Sequence, residues 1–363
     1  MRVLVAPDSF AGTLSAVEAA EAIAAGWRRR APGDELVLAP MSDGGPGFVD
    51  VLHASLGGDL LSVTVPDQYG NLRPTTVLRM EDTAYVESAQ ASGLHLSGRR
   101  DPEHATSCGV GQLLDAAIDD GARRVVIGLG GAGTNDGGAG LLAGLGATSS
   151  PPGALLGGPH SLERLETVEL AKSRSRCAGV ELVIAADVDI PLLGLRGTTN
   201  AHGTQRGLAP ERRHHVDAQL ERLADATDRT VADAKGSGAG GGLGFALLLL
   251  GGGRVDGVTV VSDAVGLSAA ARDVDLVVTG EGAFDFSSRS GKVPYGVASI
   301  AAEAIRPCIA LAGEVLVGAR EMRALGIESG YAMVDLVGRD AALAEPAASL
   351  SALAERVARS WST

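Results

Sequence analysis

The run GLGGAGTNDGG over Gly128–Gly138 holds the densest set of residues suited to chemistry in this sequence. It follows an apolar stretch, Arg124–Ile127, that reads as a buried parallel strand, and it precedes Ala139–Ala143, which can open a helix. A glycine-dense turn between strand and helix lets backbone N–H groups approach an anion closely, and the helix N-terminus adds a favourable dipole. Asn135 and Asp136 stand where a phosphate and its magnesium would need polar partners. No Gly-Lys-Ser/Thr follows, so this is not the Walker pattern. The plain alternative is a glycine-rich turn that binds nothing.

Three more segments repeat the pattern. Asp43–Gly47 follows the apolar stretch Leu36–Ala39, and Gly236–Gly244 precedes the apolar run Phe245–Leu250. Thr279–Gly282 follows Asp275–Val278, with Asp285 just beyond. Asp187 and Asp189 sit one residue apart after the strand candidate Leu182–Ala185, so both can emerge at its carboxyl end, where open α/β sheets bind ligands. An Asp at a strand end also serves as a helix cap or an Asx-turn, so each of these acids has a structural alternative.

The segments that carry these acids resemble, in order, the motifs of the bacterial type I glycerate kinase family. The resembling stretches are Ala6–Ala16 (APDSFAGTLSA), Met41–Gly45, Gly128–Gly138, Asp187–Leu192, Gly238–Gly244, Thr279–Gly282 and Gly291–Pro294. They cover nearly the whole chain. The resemblance implies transfer of a phosphoryl group from ATP to glycerate, with magnesium. It nominates Asp8, Asp187, Asp189 and Lys292 as catalytic, with Asp187 and Asp189 holding the metal. It nominates as substrate or nucleotide contacts Ser9, Asp43, Gly44, Gly45, Gly130, Gly131, Thr134, Asn135, Asp136, Arg206, Gly280, Glu281 and Asp285. Gln205 and Arg206 resemble a Gln-Lys pair of the family, and arginine clamps a phosphate with different geometry from lysine. Glu87 resembles the acid before the family's Ala-Ser-Gly turn, and Thr106–Gly109 its polar helix start, for which a cap is the preferred reading.

This chain also departs from the family. Ala11 stands where a lysine is usual, Pro46 where an acid is, Phe48 where a threonine is, Ile190 where an asparagine is, and Ala283 where a basic residue is. Lost cations and a lost carboxylate near an anionic substrate leave two alternatives beside a glycerate kinase. One is a catalytically weakened paralogue that binds a nucleotide or small acid in regulation. The other is a kinase of a larger hydroxy acid.

The elements that must position these residues follow an α/β rhythm, with apolar runs bounded by turn residues alternating with helical patterns. Arg2–Ala6 reads as the first strand. Ser15 and Glu18 form a capping box that opens a helix, with Val17, Ala20, Ile23, Ala24 and Trp27 as its core face. Leu61–Val65, Thr75–Leu78 and Thr83–Val86 are short, β-branched and alternating, which predicts a mixed or antiparallel region. Pro210–Ala232 reads as one amphipathic helix whose Arg212–His215 cluster is a solvated face. Leu276–Val278, Cys308–Ala312 and Tyr331–Val337 read as later strands. The expected architecture is two α/β domains. One is flavodoxin-like, with a parallel sheet built from both chain ends (1–65 and 285–363); the other is inserted between them with a mixed sheet (66–284).

Composition sets outer limits. The 51 glycines of 363 residues are about twice the usual ~7% share, and they concentrate in the turns above. A net charge of −13 argues against nucleic-acid or anionic-membrane partners, though not against a nucleotide. The partner expected is a small molecule, glycerate or a similar hydroxy acid, and a homodimer is allowed. The 3 cysteines lack metal spacing, and their odd number suits a reducing compartment. Asp8 interrupts the apolar start, so no signal peptide is expected and the protein reads as cytoplasmic. Lysine occurs only at Lys172, Lys235 and Lys292 among 31 basic residues, which makes each one worth weighing.

Overall fold

The computed structural model describes residues 1–362 except Ala11, Arg99 and 286–291. The Ala11 substitution and the Ser290–Gly291 turn before Lys292 therefore lie outside the described residues. The chain divides into two compact units. The first comprises Met1–Asp43, Asp50–Gly57 and Asp256–Thr363; the second comprises Gly44–Val49 and Gly58–Val255. Strands are numbered along the chain.

In the first unit β1 (Arg2–Val5), β2 (Glu35–Leu38), β11 (Leu276–Thr279), β13 (Cys308–Ala312) and β15 (Ser329–Ala332) form one sheet in the order β15-β13-β11-β1-β2. Every pairing in it is parallel. Counted within the unit, the order is 2-1-3-4-5, the doubly wound order of the flavodoxin type. β1, β11 and β13 are apolar runs because a parallel sheet is covered on both faces. Val3, Val5, Leu276, Val278, Ile309 and Leu311 pack with Ile23 and Trp27 of the helix Ala16–Arg30 and with Leu350 and Leu353 of the helix Pro346–Trp361. The capping box forms as expected: Glu18 N–H donates to Ser15 Oγ at 3.2 Å, and Ser15 N–H donates to Glu18 Oε2 at 2.9 Å. A small parallel pair, β12 (Ala283–Phe284) with β14 (Glu314–Val315), sits beside the sheet.

The second unit is built on a mixed sheet in the order β10-β9-β6-β5-β4-β3. β3 (Asp59–Pro66), β4 (Leu72–Met80) and β5 (Thr83–Glu87) pair antiparallel; β5, β6 (Arg124–Gly128), β9 (Glu181–Ala185) and β10 (Gly253–Val255) pair parallel. A short antiparallel pair, β7 (Thr148–Ser150) with β8 (Thr167–Glu169), stands apart. Its core includes Val86, Leu113, Ile127, Leu141, Leu220 and Phe245.

The unit borders differ from the expected 65/66 and 284/285. β3 is paired with β4 along its whole length, so it belongs to the second sheet. β11 pairs with β1, and the helix Leu267–Arg272 packs on the helix Val293–Glu303, so the chain rejoins the first unit at Asp256. Two elements also differ. Pro210–Ala232 is a 3₁₀ turn (Pro210–Arg212) and two helices, Arg213–Asp225 and Arg229–Ala232. Asp228 breaks the run because its carboxylate caps the second helix, accepting from Thr230 N–H at 3.0 Å. The expected strand Tyr331–Val337 ends at Ala332, where pairing with β13 ends, and Met333–Val337 is helical. No helix among the described residues is long and apolar enough to cross a membrane.

Candidate active site

In the first unit, β1 and β11 flank the point where strand order reverses, and their carboxyl ends present acids. Asp8 lies three residues past β1 and Glu281 two past β11. The two exits are stitched together. Ala6 N–H donates to Val278 O at 2.7 Å, Asp8 N–H to Gly280 O at 2.8 Å, and the buried Thr279 hydroxyl to Ala6 O at 2.9 Å. Glycine is required at position 280, because a Cβ there would sit 2.0 Å from Leu311 O. Ser9 N–H donates to Asp8 Oδ1 at 2.6 Å.

Burial, and next the negative charge of Asp43, push the Asp8 carboxyl pKa up to about 8; Glu281 adds to this and the Ser9 hydrogen bonds oppose it. Asp43 and Glu281 thus both act on Asp8 electrostatically. Lys292 stands at the N-cap of the helix Val293–Glu303, with Nζ 3.8 Å from Glu281 Oε2. A cation is disfavoured at that helix end, and the Glu281 carboxylate is the compensating charge. Asp285 follows β12 at the edge of the described segment.

In the second unit the glycine turns pack on each other. Gly130 N–H donates to Gly44 O at 3.0 Å, and a Cβ on Gly130 would lie 2.5 Å from Gly45 Cα. Gly44 has φ +91°, and a Cβ there would lie 2.9 Å from Ala185 O. The amide donors at the start of the helix Phe48–Leu56 are engaged too. Glu87 Oε2 accepts from Gly47 N–H at 3.2 Å and from Val49 N–H at 3.3 Å. An anion-shaped helix start is therefore met by the protein's own carboxylate. Pro46 packs where a Cβ on Gly131 would come within 2.9 Å of its ring, and Ile190 Cγ1 would meet a Cβ on Gly238 at 2.9 Å. The Pro46 ring thus lies close to Gly131, and Ile190 close to Gly238.

Thr134, Asn135 and Asp136 are wholly buried. Asp136 Oδ2 accepts from Ser107 N–H and Oγ–H, both at 2.8 Å, and from Gly140 N–H at 3.1 Å, while Oδ1 accepts from Gly138 N–H at 3.0 Å. Ser107 Oγ in turn accepts from Leu141 N–H at 3.0 Å. The residue expected near magnesium is thus the joint between the starts of the helices Cys108–Asp119 and Ala139–Gly144. Asn135 Nδ2 donates to Thr199 Oγ1 at 3.0 Å, and its Oδ1 accepts from Arg206 Nη1 at 2.9 Å. Thr198 and Thr199, which hold this pair, were not nominated from sequence. Two adjacent threonines opening a short helix are too common a pattern to single out.

Asp187 and Asp189 leave β9 as expected. Asp189 Oδ1 pairs with Arg254 Nη1 at 2.8 Å and Oδ2 lies 3.7 Å from Lys235 Nζ. Its charge is already met by two cations. Among the described residues no group of three or more His, Cys, Asp or Glu is placed to hold a metal ion. Magnesium usually keeps several waters and is held by one or two carboxylates together with substrate phosphates, so a cage made of protein ligands alone is not what such a site requires.

The fold and the acid-lined strand ends define a two-unit α/β enzyme of small-molecule chemistry. The sequence model of the glycerate kinase family matches residues 3–362. The chain is 37% identical over 345 residues to the glycerate kinase of Bacillus subtilis (strain 168), covering 92% of this chain and 90% of that protein. It is 35% identical over 349 residues to the glycerate 2-kinase of Escherichia coli (strain K12), covering 93% and 92%. A crystal structure described as a glycerate kinase 2, from Salmonella typhimurium LT2, superposes with a TM-score of 0.82 at 33% identity, covering 99% of this chain and 98% of that one. The chain belongs to the glycerate kinase family.

Proposed function

We propose that this protein is a glycerate kinase that transfers the terminal phosphoryl group of ATP to a hydroxyl of D-glycerate. The observation that carries the reading is the family match over residues 3–362, at a fold whose strand ends carry Asp8. Phosphoryl transfer requires little covalent chemistry from the protein beyond positioning, charge stabilisation and a place for the hydroxyl proton. Asp8 is the proton acceptor in this reading. A base with a pKa of about 8 is matched to neutral operating pH, where it is strong enough to take a proton and still partly ionised. Ser9 N–H fixes one oxygen of that carboxyl at 2.6 Å, which holds the group in place for proton transfer.

Magnesium enters with the family resemblance. Coupled ADP detection with D-glycerate and magnesium tests the proposal. The E. coli relative's name specifies the 2-position, so resolving 2- from 3-phosphoglycerate in the product locates the hydroxyl. ADP release that does not depend on glycerate would sink the reading.

Lys292 gives a sharper test within the first unit. Its pairing with Glu281 at 3.8 Å is loose and its side chain is 36% exposed, so little stability rests on it. As a cation for the transferring phosphoryl group it is worth far more. Lys292→Met is expected to lower kcat/KM by about 10-fold or more, with the melting temperature nearly unchanged. Near-normal turnover in the folded variant would remove Lys292 from the site.

A further inference from the structure

Two opposite charges line one cavity of the first unit without meeting. The cavity measures about 330 Å³ and lies between the edge strand β15, the helix Met333–Val337 and the helix Pro346–Trp361. Its floor is apolar: Leu353 and Val357 belong to the buried core, and Leu336 packs against it. Asp335 comes to it from the first helix and Arg356 from the second. Other charges near these helices are paired, Glu355 with Arg29 at 2.8 Å and Arg339 with Glu314 at 2.7 Å. Among the described residues Asp335 and Arg356 have no ion-pair partner, not even each other, although both line this cavity.

The walls also carry neutral polar groups. Trp361 Nε1 donates to the Tyr331 hydroxyl at 2.9 Å, so that hydroxyl keeps its own hydrogen for a further acceptor. Gly330, Tyr331 and Ala332 line the cavity from the last strand of the sheet, and an edge strand presents main-chain N–H and C=O groups that no neighbouring strand takes up. One positive wall, one negative wall and an apolar floor match a ligand that carries both charges on an apolar body. A lone anion attracted by Arg356 is repelled by Asp335, and a lone cation attracted by Asp335 is repelled by Arg356. A zwitterion is answered at both ends.

We propose that this cavity binds a free α-amino acid with an apolar side chain. The Arg356 guanidinium receives the α-carboxylate as a planar fork, the Asp335 carboxylate receives the α-ammonium, and the side chain lies on the apolar floor. Asp8, Glu281 and Lys292 do not line this cavity, so the site is distinct from the acids at the ends of β1 and β11.

The test is calorimetric titration of the full chain at low ionic strength, where exposed charges are least screened. The probes are L-leucine, isocaproate and isoamylamine; the last two keep the leucine side chain but lack the ammonium and the carboxylate respectively. L-Leucine is expected to bind, and each analogue to bind about 10-fold more weakly, the scale of one charge-assisted hydrogen bond. Arg356→Gln is expected to weaken L-leucine by about 10-fold or more without weakening isoamylamine, which has no carboxylate to lose. Asp335→Asn is expected to weaken L-leucine by a similar factor without weakening isocaproate. Both side chains are exposed, so both variants should keep the melting temperature of the unaltered protein. Absence of saturable L-leucine binding, isocaproate or isoamylamine binding as tightly as L-leucine, or L-leucine binding unchanged in either folded variant would overturn the proposal. The readout is binding alone, so it stands whether or not ADP release depends on glycerate.

Discussion

Asp8→Asn is expected to lower turnover by about 10²–10⁴-fold, the usual contribution of a positioned general base, in a protein that remains folded. Asn keeps the shape and can still accept from Ser9 N–H, but it cannot take a proton. The pH profile carries the specific signature. The ionised form of Asp8 is the active one, so kcat/KM should climb with pH and level off above about 8. In the variant that rise should vanish from the residual rate. Stability moves in the opposite sense. The folded pKa of Asp8 is raised from 3.8 to about 8, so between those values the folded state binds the extra proton and stability falls as pH rises. Asp8→Asn removes that penalty. The variant should therefore gain on the unaltered protein as pH rises from about 4 to 8, reaching the order of 2 kcal/mol after a discount for partial exposure. Less activity with more stability is the mark of a strained functional acid. A rate–pH profile identical to that of the unaltered protein, merely scaled, would assign the proton to another group.

The chemistry of the first unit was legible because it follows directly from strand ends. Arg2–Val5 and Leu276–Thr279 are apolar runs of parallel-sheet type, so the acids just beyond them emerge at a carboxyl edge. What the sequence could not place was which strand neighbours which. β11 pairs with β1 across more than 270 residues of chain, and that long-range pairing set the true border at Asp256. In the second unit the glycine turns were legible as special but not as to purpose. A Gly-Gly turn suits an approaching phosphate and an approaching backbone equally well, since both need the space of a missing Cβ. Gly130 gives that space to the backbone of Gly45, and Gly44 gives it to the Ala185 carbonyl. Asp136 was hidden for a related reason: its partners Ser107 and Gly140 lie on separate elements, and only folding brings both to one carboxylate.

That carboxylate is expected to carry a large share of the second unit's stability. Asp136→Ala would leave the N–H groups of Ser107, Gly138 and Gly140 and the Ser107 hydroxyl without their acceptor in a fully buried place. Each orphaned buried donor costs about 1–3 kcal/mol, and partial relaxation with water entry recovers some of that. A net loss of about 3–5 kcal/mol is expected, a large share of the roughly 5–15 kcal/mol that holds a typical domain folded. Asp136→Asn separates the structural role from a ligand role. Its amide oxygen can replace Oδ2 and serve Ser107 and Gly140, but its NH₂ then faces the Gly138 N–H, donor against donor. The variant should be destabilised by about 1–3 kcal/mol in urea unfolding, with unaltered affinity for ADP and glycerate in the fraction that remains folded. If Asp136→Asn unfolded like the unaltered protein but lost nucleotide binding, Asp136 would be a ligand contact and the joint between the two helix starts would have to be held by something else.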